Sequence, residues 1–96
     1  MSHIVEIQTQ IRDPVAVQAA SRRLGLPPPV HETVQLFSAM EYGLAVRLPG
    51  WQYPVICDTA SGQLKYDNFE GHWGDRKELD RFMQAYADYE RAVYAM

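Results

Sequence analysis

The segment YDNFEGHWGD, residues 66–75, concentrates side chains that are suited to ligand recognition. Asp67 and His72 can exchange protons, and Asn68 can donate and accept hydrogen bonds. Tyrosine and tryptophan combine a large apolar face with a polar tip, which is common in ligand pockets and interface anchors. We therefore predict that recognition involves this segment. The candidate binding residues are Tyr66, Asp67, Asn68, His72 and Trp73 within it, together with Trp51 from the preceding predicted strand.

The same segment leads into a helix, which gives it a structural alternative. Asp75 followed by Glu78 has the form of a capping box, with Asp in place of the usual Ser or Thr, so we interpret residues 73–75 mainly as a helix start. In the structural alternative, Trp51, Phe69 and Trp73 close one end of the core beneath that helix. The sequence leaves both interpretations open for residues 66–72.

The histidines do not form a metal-binding pattern. His3, His31 and His72 lie in three different predicted elements, and no pair has the spacing of metal ligands on a helix. We interpret them as ordinary surface or hydrogen-bonding residues. The sequence predicts no metal site and no cofactor.

Two other residue types could support catalysis. Cys57 lies on the same face of its predicted strand as several apolar residues. This predicts an inert core thiol rather than a nucleophile. Asp58 and Asp67 flank the last predicted hairpin and could form the carboxylate pair that acid–base chemistry uses. Asp58 also precedes a tight turn, and we favour a role in which its side chain binds backbone amides there.

The C-terminal segment carries a further aromatic candidate. From Asp75 onward, Leu79, Phe82 and Met83 recur at helical spacing and define an apolar stripe. Tyr89 and Tyr94 cannot both lie on that stripe, so at least one of them should face solvent or a partner. Tyr94 therefore completes the set of candidate binding residues.

The first two elements that must position these residues are a strand and a helix. Residues 2–11 alternate apolar and polar side chains, with Val5 and Ile7 on one side, as in a half-buried strand. Asp13 can cap a first turn that begins with Pro14, and Gly25 can end the helix in a left-handed cap. We predict a helix from about residue 14 to about residue 24.

Four strand-like runs follow, over residues 30–37, 41–48, 51–58 and 63–69. The side chains predicted to point inward are Val30, Val34, Leu36, Tyr42, Leu44, Val46, Leu48, Trp51, Tyr53, Val55, Cys57, Leu64 and Tyr66. Ile56 is predicted to point outward. Pro54 has no amide donor, which predicts either an edge strand or an early unpaired position.

The order of these elements is strand, helix, four strands, helix (βαββββα). Hairpin-length connections require antiparallel pairing, and two helices can cover only one face of such a sheet. The predicted fold is a two-layer α+β domain over residues 1–96, with an antiparallel sheet of about five strands and two helices on one face.

Composition excludes several classes of protein. The 96 residues suit one domain, with an apolar fraction of 47% and no run of the length that spans a membrane. The single cysteine rules out an internal disulfide, which favours a reducing, cytosol-like compartment. Nine basic residues are interleaved with twelve acidic ones, so we predict no nucleic-acid partner and no membrane partner.

Two long runs of the chain are distinctive together, residues 1–31 and GLAVRLPGWQYPVICDTASGQLKYDNFEGHWGDRKELDRFMQAYA. They resemble a family of unknown function from planctomycetes, cyanobacteria and algal plastids, where it is a hypothetical chloroplast reading frame. The resemblance implies a small soluble protein, without an assigned reaction. Family members tend to continue past the last helix, and if that extension pairs with the sheet, its absence here favours self-association through an open edge.

Two hypotheses about function follow. The first is a non-enzymatic domain that binds a protein partner or self-associates, because no catalytic constellation is recognisable. It would use a sheet edge, the 66–75 segment or the tyrosines of the last helix. The alternative is a small-ligand-binding protein or metal-dependent enzyme whose site lies near residues 66–75.

Overall fold

The computed structural model describes residues 4–36 and 39–94. Its strands are β1 (Val5–Gln8), β2 (Val30–Gln35), β3 (Met40–Val46), β4 (Val55–Asp58) and β5 (Gln63–Tyr66). Its helices are α1 (Pro14–Arg23) and α2 (Arg76–Tyr94), with a short 3₁₀ helix at Phe69–Gly71. The predicted α+β fold and the element order βαββββα are confirmed.

The five strands form one antiparallel sheet in the order β1-β5-β4-β3-β2. The strands β2 to β5 pair as successive hairpins, as their short connections require. β1 lies beside β5, with Val5 opposite Tyr66 and Gln8 opposite Gln63. The start of the chain is thereby placed next to the residues that lead into α2.

Both helices begin at aspartate caps. Oδ1 of Asp13 accepts a hydrogen bond from the Val15 amide at 3.0 Å, and Oδ1 of Asp75 accepts one from the Lys77 amide at 2.9 Å. α1 ends one residue earlier than predicted, at Arg23, where Gly25 has a φ of +72°. The Leu26 amide then donates to the Ser21 carbonyl at 2.9 Å, which closes the helix end.

The main core lies between the helices and one face of the sheet, the helix-covered face. Phe82 of α2 is the largest fully buried side chain, and burying such a residue contributes about 2–3 kcal/mol. The other buried residues of this core include Val17, Ala20, Leu44, Val46, Val55, Cys57, Leu64 and Leu79. They hold α1 and α2 side by side against β3, β4 and β5.

The opposite face of the sheet, the second face, is also partly covered. Ile56 is 1% exposed and Ala45 is 3% exposed, although Ile56 was predicted to point outward. Gly43 lies so close to Ile56 that a Cβ added there would fall 2.7 Å from its Cγ2. Glu41 reaches across to Lys65 on β5, with Oε2 and Nζ 3.2 Å apart. The β2–β3 hairpin therefore curls over the second face, which the strand pattern alone does not reveal.

The strand pairing explains where two inward predictions for β2 and β3 were wrong. Val30 is 53% exposed and Tyr42 is 67% exposed. Within the described residues, β3 pairs with β4 through Leu44, Ala45 and Val46, so Tyr42 lies beyond the end of β4. Val30 pairs with Ala45 on the second face, away from the helices. Alternation of apolar and polar residues predicts which side chains share a face of a strand. It does not predict how far the neighbouring strands extend and therefore which of those side chains are covered.

The run 51–58 forms a strand only in its second half. Trp51 to Pro54 are irregular, and β4 begins at Val55. β4 is a central strand, so the interpretation of Pro54 as an early unpaired residue is confirmed and the edge-strand alternative is wrong.

Candidate functional site

Residues 66–75 are called here the 66–75 loop. The first and the last residues of this loop both contact Trp51. The Tyr66 ring is buried and packs edge-on against Trp51, with ring centroids 5.5 Å apart. The Trp51 indole N–H donates to the Asp75 carbonyl at 3.0 Å. Gly74 lies flat on the same indole and leaves no space for a Cβ. Trp51 thus fixes both the start and the end of the loop.

Two polar residues of the loop, Asp67 and Asn68, are engaged in closing it. The Asn68 carbonyl accepts hydrogen bonds from the amides of Gly71 at 3.0 Å and Trp73 at 2.9 Å, and its side-chain amide donates to the Gly74 carbonyl at 3.3 Å. Oδ1 of Asp67 accepts from the Phe69 amide at 3.2 Å. Asn68 therefore serves as a connector of the loop, as in the structural alternative.

The aromatic side chains of the loop form a compact cluster. Phe69 stacks on Trp73 with ring centroids 4.8 Å apart and contacts His72 edge-on at 4.9 Å. Tyr53 packs edge-on against Trp73 at 5.6 Å, which joins the loop to the irregular segment before β4. Trp73 remains half-buried and His72 is exposed, so part of the cluster is accessible from solvent.

Two features of the loop are unusual. Phe69 has a φ of +47°, a left-handed conformation that costs a residue with a side chain about 1–2 kcal/mol. Asp67 is 1% exposed, and its Oδ2 has no hydrogen-bond partner within the described residues. Because Asp67 is buried, a ligand would reach its carboxylate only if the loop opened.

The alternative in which Asp58 and Asp67 form a carboxylate pair is wrong. Asp58 is opposite Gln63 at the turn of the β4–β5 hairpin, and Asp67 follows the other end of β5. Asp67 lies four positions beyond Gln63 along extended chain, which is about 13 Å. Oδ1 of Asp58 instead accepts a hydrogen bond from the Ala60 amide at 3.1 Å, so its predicted turn role is confirmed.

Cys57 is an inert thiol, as predicted. Its side chain is 1% exposed within the main core, and burial raises its pKa to about 12. The thiolate form needed for nucleophilic attack is therefore not available near neutral pH. Across residues 4–36 and 39–94, no group of three or more His, Cys, Asp or Glu side chains could hold a metal ion.

A second candidate site lies at the C-terminal half of α2. An open cavity of about 470 Å³ separates this half of the helix from the chain that follows β1. We call it the α2 groove, and it is lined by Thr9, Gln10, Ile11, Met83, Tyr86, Ala87, Glu90 and Tyr94. The lining is mostly apolar, and the volume is in the range of ordinary ligand pockets.

Tyr94 lies at the rim of the α2 groove and is 74% exposed. Val93 beside it is 41% exposed, whereas Tyr89 packs against the core. The prediction that at least one of Tyr89 and Tyr94 is exposed is confirmed. Tyr94 belongs to this groove and not to the 66–75 loop, so the predicted binding residues lie at two separate places.

The polar floor of the α2 groove is built around the Tyr86 hydroxyl. It accepts hydrogen bonds from the amides of Arg12 and Asp13, each at 3.1 Å, and donates to Oε1 of Glu90 at 2.8 Å. Burial raises the pKa of Tyr86, the Asp13 amide opposes this, and the Glu90 carboxylate adds to the increase. The phenol is therefore held in its neutral form.

Glu90 supplies the one acidic side chain among the described lining residues of the α2 groove. Its Oε1 is occupied by the Tyr86 hydroxyl. Its Oε2 is buried and has no hydrogen-bond partner within the described part of the chain. A carboxylate oxygen in that position lacks the donor it would have in water.

Sequence reasoning missed Met83, Tyr86, Ala87 and Glu90 as a set. Their spacing of three and four residues does place them on one face of α2, together with Tyr94. The opposite wall comes from residues 9–11, which are far away in the chain. No local pattern indicates that these two segments meet.

The chain matches no protein-family model, no curated protein sequence and no solved structure. The resemblance to the family of unknown function therefore stays a prediction. Within residues 4–36 and 39–94, no helix combines the length and apolar character that a membrane span requires.

Proposed function

We propose that this domain is a non-enzymatic binding module that holds a segment of a protein partner in the α2 groove. The observation that carries the proposal is the apolar groove of about 470 Å³ with the exposed Tyr94 at its rim. Single exposed apolar residues are common on protein surfaces, but a concave apolar surface continued by exposed aromatic and aliphatic side chains is typical of a binding site.

The extent of the exposed surface favours a protein segment over a small molecule. Val93, the neighbour of Tyr94 in α2, is also exposed and is not among the residues that line the groove. A small molecule in the groove would leave Val93 in contact with water, whereas a chain segment that crosses the rim would cover it. Tyrosine is also frequent among the residues that contribute most to protein interfaces.

The chemistry of the groove supports a role without catalysis. Tyr86 is held neutral, and its hydroxyl already makes three short hydrogen bonds. A general base or nucleophile needs a free lone pair near the substrate, which this hydroxyl does not offer. The Tyr86 hydroxyl is therefore suited to fixing the structure of the groove rather than to acid–base or nucleophilic chemistry.

The proposal is tested by selecting short peptides from a random displayed library on the immobilised domain. Ala87→Trp fills the groove, and Tyr94→Ala removes its rim. Tyr42→Ala is the matched control, because Tyr42 is a similarly exposed tyrosine on the β2–β3 hairpin. We expect the selected peptides to lose about tenfold or more in affinity with Ala87→Trp and Tyr94→Ala, as at interface hot spots, and to tolerate Tyr42→Ala.

Peptides that bind Ala87→Trp as well as they bind the unmodified domain would contradict the proposal. Light scattering across a concentration series separates an external partner from a second copy of the chain. A dimer that Tyr94→Ala dissociates and Tyr42→Ala preserves would identify the partner as another copy of this domain.

The second candidate function is a small-ligand site at the 66–75 loop. It is favoured by one observation, the unpartnered buried Oδ2 of Asp67 beside the accessible cluster of Phe69, His72 and Trp73. Nuclear magnetic resonance screening with small-molecule fragments tests it. Shifts of the Trp51 and Trp73 indole signals that Asp67→Asn abolishes would support the loop, and shifts confined to α2 would exclude it.

A further inference from the structure

The α2 groove carries a chemical feature that an apolar partner alone would not satisfy. Oε2 of Glu90 is buried at its lining without a donor, while Oε1 receives the Tyr86 hydroxyl at 2.8 Å. A carboxylate oxygen that is buried without a hydrogen bond lowers the stability of the folded state, because it loses the donors that it has in water. A binding partner that supplies a donor would recover this free energy.

The nearby hydrogen-bond donors among the described residues do not bind Oε2 of Glu90. The amides of Arg12 and Asp13 are directed to the Tyr86 hydroxyl. Arg91, the next residue on α2, is 73% exposed at its side chain and lies 3.6 Å from Asp88 instead. The negative charge of Glu90 is therefore not neutralised by any ion pair within the described residues.

We infer that the partner segment held by the α2 groove carries a lysine or arginine beside an apolar side chain. The apolar side chain would fill the groove next to Ile11 and Ala87, and the basic nitrogen would pair with the Glu90 carboxylate, whose buried Oε2 would have to turn toward the groove to accept the hydrogen bond. Hydrogen bonds between charged groups in a site shielded from water are about twice as strong as neutral ones. The inference rests on the proposed function, since it specifies the chemistry of the same groove.

The net charge of the domain is consistent with this choice of partner. The chain has a formal net charge of −3, which favours the approach of basic segments and disfavours acidic ones. A general charge effect must still be separated from a specific contact with Glu90. Asp88 provides that separation, because it is an acid on the same helix that pairs with Arg23 and Arg91 and does not line the groove.

The test uses peptides selected from the random library on the intact domain. We expect peptides that are sensitive to Ala87→Trp to be enriched in lysine or arginine next to an apolar residue. Glu90→Gln keeps an oxygen for the Tyr86 hydroxyl while it removes the charge. Selection on Glu90→Gln should lose the basic enrichment and keep the apolar one, and selection on Asp88→Asn should keep both.

One selected peptide is then synthesised with its lysine or arginine and with glutamine in its place. On the unmodified domain the glutamine peptide should bind about tenfold more weakly, as for a desolvated charge pair, and on Glu90→Gln the two peptides should bind equally. Circular dichroism and thermal unfolding check that Glu90→Gln is folded. An equal loss on both domains would place the basic residue elsewhere and overturn the inference.

The possible failures are distinguishable. Groove-dependent peptides without a basic residue would overturn the partner chemistry and leave the proposed function standing. If no selected peptide responds to Ala87→Trp, the groove is not the binding site, and both proposals fail. An enrichment in acidic residues would contradict the role of Glu90 directly.

Discussion

The Tyr86 hydroxyl lies 2.8 Å from Oε1 of Glu90, one helical turn away, and 3.1 Å from the amide nitrogens of Arg12 and Asp13. One hydroxyl thereby joins α2 to the chain between β1 and α1. It accepts two hydrogen bonds and donates one, which is its full capacity. The same contact orients Glu90 at the groove, so the stability of the domain and the chemistry of its proposed binding site depend on it together.

Tyr86→Phe is expected to lower the free energy of unfolding by about 1–3 kcal/mol. The substitution keeps the buried ring but leaves the amides of Arg12 and Asp13 and the Glu90 carboxylate without a partner. Urea denaturation followed by circular dichroism measures the change. Tyr42→Phe, at an exposed position on β3, is the control and should leave stability unaltered. A loss of the same size in both variants would argue against the role assigned to the Tyr86 hydroxyl.

Stability should fall in the alkaline range. Because the pKa of Tyr86 is raised in the folded state, the folded protein holds the phenolic proton more tightly than the unfolded chain does. This contribution is complete below the pKa of an unfolded tyrosine, about 10, and is lost as pH rises through the folded value. The denaturation midpoint should therefore decrease above that pH.

Tyr86→Phe provides the comparison for this pH dependence. The variant lacks the titrating phenol, so its alkaline decrease should be shallower than that of the unmodified domain. Parallel curves for the two proteins would show that other groups account for the loss of stability.

The Cys57 thiol is expected to resist modification in the native domain. It is buried, and its pKa of about 12 keeps it protonated over the usual working range. Reaction with a thiol reagent such as dithionitrobenzoate should require opening of the structure, and its rate should increase with added urea. Fast labelling without denaturant would contradict the central position of β4.

Gly74→Ala is expected to destabilise the domain by about 1–3 kcal/mol, because the added methyl group would overlap the Trp51 indole. Displacement of Trp51 should also alter the tryptophan fluorescence spectrum. Gly71→Ala is a useful comparison, because no atom lies within 4 Å of the added Cβ and its cost arises from the φ of +98° alone. If Gly71→Ala changed the spectrum as much, the contact between Gly74 and Trp51 would not be the cause.

Local sequence signals were sufficient for the order of the elements. Asp13 and Pro14 mark the start of α1 because an N-cap side chain and a proline satisfy the first turn without help from the rest of the chain. The short β2–β3 and β4–β5 connections likewise leave antiparallel pairing as the only possibility. These properties involve neighbouring residues, so the sequence displays them directly.

The site was predicted in part. The grouping of Trp51 with Tyr66 and Trp73 was anticipated, since the loop is continuous and Trp51 begins the preceding segment. The engagement of Asn68 by the loop backbone was not, because a sequence does not show which donor a polar side chain will meet. Helical spacing predicted that at least one of Tyr89 and Tyr94 is exposed, and Tyr94 is, but the groove beside it was not predicted.

The sequence by itself determined the antiparallel α+β fold, the helix boundaries to within a residue at α1, and the exposure of at least one of Tyr89 and Tyr94. Tertiary structure decided that β1 pairs with β5, that the curled β2–β3 hairpin buries Ile56, and that Tyr86 meets Arg12 from 74 positions away. Periodicity and capping depend on residues within a few positions of one another. The α2 groove lies between α2 and residues 9–11, which are far apart in the sequence. Only the packing of α2 beside the chain that follows β1 brings these two segments together.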